Sequence, residues 1–347
     1  MTSLGRLPYV ILAANAILSG LTANLYLFIA LRLRTYLFFV VSVLQIPLWI
    51  AFGYLVPIAT RHYHLREPAP EAGVRVDAIA ILVLVILSYS FFVRFLRGEG
   101  REAFRLSNEL ELAHGIQKTL VPPIHLRTEQ FELYGRSDPS EKVGGDLVDA
   151  LELEDGSTVA YIADIAGHGL QAGILMGMLK TAARTALLDA ASTDARMVLP
   201  VLMDRLNRVL PSVKEPQMYA TFAGFRLNPD GSVFYALAAH PPILHYRADA
   251  RSEHLSTEQF PLGLLPVDGY SSAATTMASR DLLIVVTDGI LEASDKSEDE
   301  FGLIRLQEVI ARHATSSLPD MATAILTAAR AFGKQIDDQT LLLIRRL

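Results

Sequence analysis

Apolar and polar positions are unevenly distributed along the chain: long unbroken apolar runs come first, and short alternating runs fill the rest. Leu7–Leu31 is 25 residues without a charge, and Thr35–Thr60 is 26. Ala78–Val93 adds 16, reaching Leu96 if Arg94 carries its charge outward along its stem. About 20 apolar residues span a bilayer, so the pattern predicts a transmembrane region over 1–97 with three helices. Three such runs leave no amphipathic face for building a soluble core. The first run is also too long for a signal-peptide core and lacks its small-residue cleavage site. Residues 98–122 read as a linker helix, with Phe104, Leu112, Ile116 and Leu120 near one face and Pro122–Pro123 as its stop. That face suits pairing with a second copy in a homodimer, or packing on its own domain.

Beyond about residue 128 the pattern changes to short β-rich runs alternating with helical spacing. Strands are predicted at 131–137, 158–166, 218–227, 233–239, 282–288 and 340–347. Helices are predicted at 169–188, 195–210, 303–314 and 318–332. Asn228-Pro229-Asp230-Gly231 marks a hairpin between two of the strands. Hairpin-linked strands with interspersed helices predict an α+β layered domain over 123–347, not a βαβ dinucleotide fold.

Charge sharpens the boundary. Residues 1–97 hold eight arginines, no lysine and three acids, whereas 98–347 hold 23 basic and 34 acidic residues, a net −11. Arg94, Arg97, Arg101 and Arg105 follow the third run, which places that end and the large domain in the cytoplasm, on the inner face of the cell membrane. The acidic balance of the domain argues against a nucleic-acid partner. The chain has no cysteine. That excludes disulfide scaffolds, thiolate metal sites and every phosphatase that works through a phosphocysteine.

The candidate chemistry lies in four acidic motifs at strand ends: Val143-Gly144-Gly145-Asp146-Leu147-Val148-Asp149, Ala163-Asp164-Ile165-Ala166-Gly167-His168-Gly169, Thr287-Asp288-Gly289 and Asp337-Asp338-Gln339-Thr340. Aspartates are poor strand residues and good ligands for hard cations such as Mg²⁺ or Mn²⁺, and glycine lets the backbone come close to an ion. Singly, each motif reads as an ordinary turn; the four in this order carry the signal.

In that order they resemble the metal-dependent serine/threonine protein phosphatases of the PPM (type 2C) class, in the bacterial SpoIIE-like branch. The branch reads V-G-G-D-x-x-D, D-x-x-G-H-G, T-D-G and D-D-x-T. Ile116-Gln117 with Leu120 and Pro122, Ala238-Ala239-His240-Pro241-Pro242, Pro261-Leu262-Gly263, Glu292 and Phe301-Gly302 extend the likeness over roughly 113–347. Ala163, Ala166, Ala239 and Ser279-Arg280-Asp281 depart from it, in turns and not at ligands.

The resemblance implies an αββα sandwich, two β-sheets flanked by helices, with two divalent ions, Mn²⁺ or Mg²⁺, in a cleft at one edge. Carried over by motif, Asp146, Asp164, Asp288 and Asp337 are the catalytic, metal-holding set, joined by the Ile165 carbonyl and then Asp338 and Asp149. Asp149 is alternatively an orienting group behind the ligands. The resemblance also implies hydrolysis of phosphoserine or phosphothreonine by metal-activated water, on a phosphorylated STAS-domain anti-sigma-factor antagonist. His168 and His240 fit structural turn positions better than acid catalysis, and Lys142 and Arg136 are candidates to assist the phosphate. Two other readings compete. One is a catalytically silent phosphoprotein-binding module signalling through the membrane. The other is a nucleotide cyclase, which Leu147-Val148 after the Gly-Gly-Asp disfavours.

Overall fold

The computed structural model describes residues 8–31, 35–64, 83, 87–88, 114–115, 117–167, 169–188, 190 and 193–347. The chain divides into two compact units, Met1–Ala103 and Phe104–Leu347.

In the first unit, α1 (Tyr9–Leu31) and α2 (Thr35–His62) coincide with the first two apolar runs. Val43, Leu44, Ile46, Ile50, Leu55 and Ile58 of α2 are all exposed. Among the described residues one segment, Val43–His62, is long and apolar enough to cross a membrane. The third run, and the linker helix before residue 114, lie almost wholly outside the described residues.

The second unit holds two antiparallel sheets. Five strands form one sheet in the order β3 (Leu147–Glu152), β4 (Thr158–Ile165), β5 (Ala220–Leu227), β6 (Ser232–Ala238) and β9 (Ala273–Thr276). Six form the other, in the order β1 (Ile124–Arg127), β2 (Phe131–Asp138), β11 (Gln339–Arg346), β10 (Leu282–Val286), β7 (Ile243–Tyr246) and β8 (Ser252–Leu255). Helices α3 (Gly169–Ala186) and α4 (Val198–Val213) serve the first sheet. A short α5 (Asp288–Leu291), α6 (Gly302–His313) and α7 (Leu318–Phe332) serve the second. This is the αββα sandwich that the resemblance implies.

Period-two alternation builds the layers. Leu283 and Val285 of β10, with Leu342 and Ile344 of β11, enter one apolar core with Leu133, Val148 and Ile162. Their neighbours Leu282, Ile284, Val286, Leu341 and Leu343 enter a second core with Ile310, Met321 and Ile325 of the outer helices. Because both faces are covered, these strands read as continuous apolar runs. Each buried leucine or isoleucine contributes about 1.5–3 kcal/mol of burial free energy. Short strands are a different case: β1, β8 and β9 are four residues each, with partly exposed faces, and β3 and β7 are short runs beside turn motifs. None of the five stands out in the sequence pattern. The Asn228–Gly231 hairpin forms as predicted, with Asn228 N–H donating to Ser232 O and Gly231 at φ +87°.

Two of the turn departures have a conformational cost. Ala239 and Arg280, standing where the resemblance expects glycine, adopt φ of +51° and +72°. A Cβ is disfavoured there by about 1–2 kcal/mol.

Candidate active site

Leu147 of β3 pairs with Ala163 of β4. Asp146, one residue before β3, therefore lies across from Asp164, one residue from the end of β4. In the other sheet Thr287 N–H donates to Thr340 O at 3.0 Å, carrying the β10–β11 ladder past Val286. Asp288 and the Asp337–Asp338 pair thus leave two adjacent central strands at the same end. Thr287 Oγ1 donates to Asp146 Oδ2 at 3.0 Å and ties the two sheets together at that edge.

Four carboxylates gather where the sheets meet, and the groups that act on them are chiefly each other. Asp146, 1% exposed, has its carboxyl pushed well above the ordinary value, by burial first and then by the charges of Asp164 and Asp338. Asp164 is raised to about 7, by burial and then by the charge of Asp288. Asp288 is raised by burial and by Asp337. Burial comes first among the causes for all three, and a neighbouring carboxylate comes second. Such a set is costly unless a cation or protons neutralise it. Oxygen-only donors of this kind match Mg²⁺ or Mn²⁺, so the donor set fits the ions that the resemblance implies. Among the described residues no three of these groups already close on one point, so they line the site without forming a finished cage.

Asp338 has a different task. Its carboxylate accepts the Ser140 N–H at 2.7 Å and the Gly145 N–H at 2.8 Å, with Asp146 N–H at 3.4 Å. A Cβ on Gly144 would stand 1.9 Å from Asp338 Oδ2, so only glycine admits this carboxylate against the loop. The Ile165 carbonyl lies 3.0 Å from the place of a Gly145 Cβ, beside the same loop. Asp338 and Ile165 therefore stand at the site, with Asp338 fastening the Gly-Gly-Asp loop to β11. The side-chain oxygen of Asp337 accepts the Asp338 N–H at 2.8 Å, and Asp337 is exposed.

Asp149 corrects the sequence reading. Residues alternate faces along β3, so the residue three after Asp146 points to the opposite side of the sheet. There it accepts both Arg184 Nε and Nη2 at 2.7 Å and the Tyr161 hydroxyl at 3.0 Å, with Lys180 at 3.4 Å. It is saturated, and none of these partners is in the acidic group. Burial alone would raise its carboxyl; Arg184, Lys180 and Tyr161 outweigh that and hold it below the ordinary value. The stability it contributes is complete above about pH 4 and is lost as pH falls through the lower folded value. Arg184→Ala is expected to cost about 2 kcal/mol at neutral pH, discounted because Arg184 is half exposed, and to flatten the acid limb of a Tm–pH curve.

Arg136 is drawn off the phosphate role by bonds of 2.7 and 2.9 Å to Asp138. His168 lies outside the described residues. His240 is buried, donates from Nδ1 to the Pro241 carbonyl at 3.1 Å, and is pushed down to about 4, mainly by burial. It is a neutral turn residue, as the sequence favoured. Two residues were not anticipated as parts of the site. Thr287 is the bridge between sheets; its only signal is its place before Asp288. Thr221 pairs across from Asp164 on β5, and among the described residues its buried hydroxyl has no partner.

Known proteins share this fold. The family model described as Stage II sporulation protein E (SpoIIE) matches residues 154–347. Phosphoserine phosphatase RsbU of Bacillus subtilis is 27% identical over 279 residues, which are 78% of this chain and 79% of RsbU. Among solved structures, the SiaA-PP2C domain of Pseudomonas aeruginosa superposes with a TM-score of 0.58 at 19% identity, covering 70% of this chain and 98% of that domain. The PP2C phosphatase domain of B. subtilis SpoIIE, solved with a fragment of its regulatory domain, gives 0.51 at 17% identity over 63% of this chain and 64% of that one. Fold and acidic edge together define a metal-dependent protein phosphatase of the PPM class. Within that class the chain belongs to the SpoIIE family.

Proposed function

We propose that the chain is a membrane-anchored serine/threonine phosphoprotein phosphatase, with residues 1–97 as anchor, 98–122 as linker and 123–347 as the catalytic domain. The observation that carries the chemistry is the meeting of Asp146 and Asp164 from one sheet with Asp288 and Asp337 from the other. Asp146, Asp164, Asp288, Asp337 and the Ile165 carbonyl are the groups that would hold two divalent ions. When bound, such ions activate a water and neutralise charge on the phosphoryl oxygens. The chain's own work is to place them. Thr287 fixes Asp146 Oδ2, Asp338 fixes the loop, and the sheet ladders set the spacing between the two carboxylate pairs. Water attacks phosphorus in line, the P–O bond to the seryl or threonyl oxygen breaks, and that oxygen takes a proton from solvent. No cysteine is needed at any point.

Membrane anchoring is supported by the exposed apolar surface of α2, which lipid would cover, and by the basic cluster after the third run, which favours a cytoplasmic catalytic domain at a bacterial inner membrane. The substrate we favour is a phosphorylated STAS-domain protein of the anti-sigma-antagonist kind, by likeness to RsbU, which is named a phosphoserine phosphatase. The purified full chain in detergent is expected to release phosphate from a phosphoserine protein and from p-nitrophenyl phosphate only with Mn²⁺ or Mg²⁺ present. Excess chelator should lower the rate at least about 100-fold, and re-added metal should restore it. Metal-independent turnover would reject the reading. Phosphoprotein binding without turnover would favour the silent module.

A further inference from the structure

A cleft of about 520 Å³ lies at the end of the six-stranded sheet opposite the acidic edge. Tyr246 of β7, Leu282 of β10 and Arg345 of β11 line it in one row, since Leu282 pairs with each of the other two. Arg247, Arg280 and Thr315 complete its polar wall. Leu282 is six residues before Asp288, and a strand rises about 3.3 Å per residue, so the acidic edge is about 20 Å away along the same strand. Among the described residues that line the cleft none is an aspartate or a glutamate, although residues 98–347 carry a net −11.

The three guanidinium groups differ in what they already hold. Arg247 is neutralised: its Nη1 donates to Thr276 O at 3.0 Å and to Asp281 at 3.3 Å, and its Nη2 pairs with Glu253. Arg345 donates through Nη2, to Ala314 O at 3.2 Å and Ser316 O at 2.7 Å, and its Nη1 stands 3.9 Å from Glu132. Burial pushes its guanidinium below the usual value and Glu132 offsets only part of that, so its charge is under-compensated. Arg280 is exposed, and among the described residues its guanidinium has no partner. Its backbone is fixed. Arg280 N–H donates to Arg346 O at 2.8 Å, and the Asp281 carboxylate holds the turn by accepting the Ala278 and Ala248 N–H groups at 2.9 Å each. With φ at +72° the turn would be relaxed by glycine; what arginine adds is a charge at the cleft.

We infer that this cleft is a binding site for a small phosphate-bearing ligand, held by Arg280 and Arg345 and separate from the acidic edge. Guanidinium groups present paired N–H donors that match phosphate oxygens, and the hydroxyls of Tyr246 and Thr315 add single donors. The volume falls within the range of small-molecule sites, about 300–1,000 Å³, so the ligand is an organic phosphate or an inorganic polyphosphate.

The test titrates pyrophosphate and ATP, separately, into the full chain in detergent. Divalent ions are first removed by chelator and dialysis, so the acidic edge holds no metal to attract either probe. Calorimetry is expected to show binding by wild type below about 1 mM, weakening as salt rises. Arg280→Gly is expected to weaken it at least about tenfold, as loss of a charge-assisted hydrogen bond does, while its Tm holds or rises because the turn relaxes. Arg280→Lys keeps the charge and should lose less. Asp288→Asn should bind as wild type does. ATP binding at least as tight as that of pyrophosphate identifies an organic phosphate, and binding of pyrophosphate alone an inorganic one. No binding of either probe at about 1 mM, or wild-type affinity in Arg280→Gly, would overturn the inference. Loss of binding in Asp288→Asn would overturn it too, by placing the phosphate at the acidic edge.

Discussion

Asp164→Asn is expected to lower phosphatase turnover by about 10³-fold or more while leaving the metal-free protein at least as stable as wild type. Losing a group that only orients a ligand already costs 10–100-fold in metal-site function, and a ligand itself costs more. A 10³-fold loss corresponds to about 4 kcal/mol of barrier. The stability half of the prediction has the opposite sign to ordinary damage. Asp164 is raised to about 7 in the folded chain by burial and by neighbouring carboxylates. For an acid whose folded value is raised, ionisation above its unfolded value of about 4 destabilises the fold, and the penalty grows until pH passes about 7. A neutral, isosteric asparagine removes that penalty, so the metal-free Tm at pH 8 should hold or rise. Asp288, raised by burial and Asp337, should behave likewise on substitution by asparagine. Thermal melts in chelator together with phosphate-release rates check both halves. Substantial turnover in either variant would refute their role, and a large fall in Tm would show that the carboxylates serve packing.

Gly144→Ala is expected to be the next most damaging change and to act differently, by steric force. The added Cβ would meet Asp338 Oδ2 at 1.9 Å and Cγ at 2.5 Å. Asp338 has no easy retreat, because Ser140 and Gly145 N–H groups hold its carboxylate at 2.7 and 2.8 Å. Either the loop lifts or those bonds break. Overpacking of this kind costs about 1–3 kcal/mol, and buried amides left unpaired add a comparable amount. A Tm lower by several degrees and a turnover loss of at least 100-fold are expected together. Gly115→Ala is the control: among the described residues nothing lies within 4 Å of a Cβ there, and the residue is helical, so stability should hold or rise slightly. Equal, mild effects at both glycines would contradict the close approach of Asp338.

What could be read from the sequence follows from which physical signals are local. β2, β4, β10, β11 and the helices over 169–186, 302–313 and 318–332 announce themselves by apolar runs and helical spacing. The four-residue strands do not, since two or three inward side chains are too few to show a period. The acidic motifs gave the members of the site, but not their roles. Asp149 and Asp338 look alike in sequence, each the last acid of a motif. One is turned away onto Arg184 by the alternation of β3, and the other is saturated by backbone amides from a loop almost 200 residues away. Long-range partners of that kind leave no trace in spacing.

The proposed function requires carboxylates from two sheets to form one centre for divalent ions. Anomalous diffraction from crystals of the full chain grown with Mn²⁺ tests it most directly. Two manganese peaks about 3.5–4 Å apart are expected, contacted by Asp146 and Asp164 from one sheet and by Asp288 and Asp337 from the other. An absence of manganese at this edge under saturating metal, or ions held elsewhere in the domain, would contradict it.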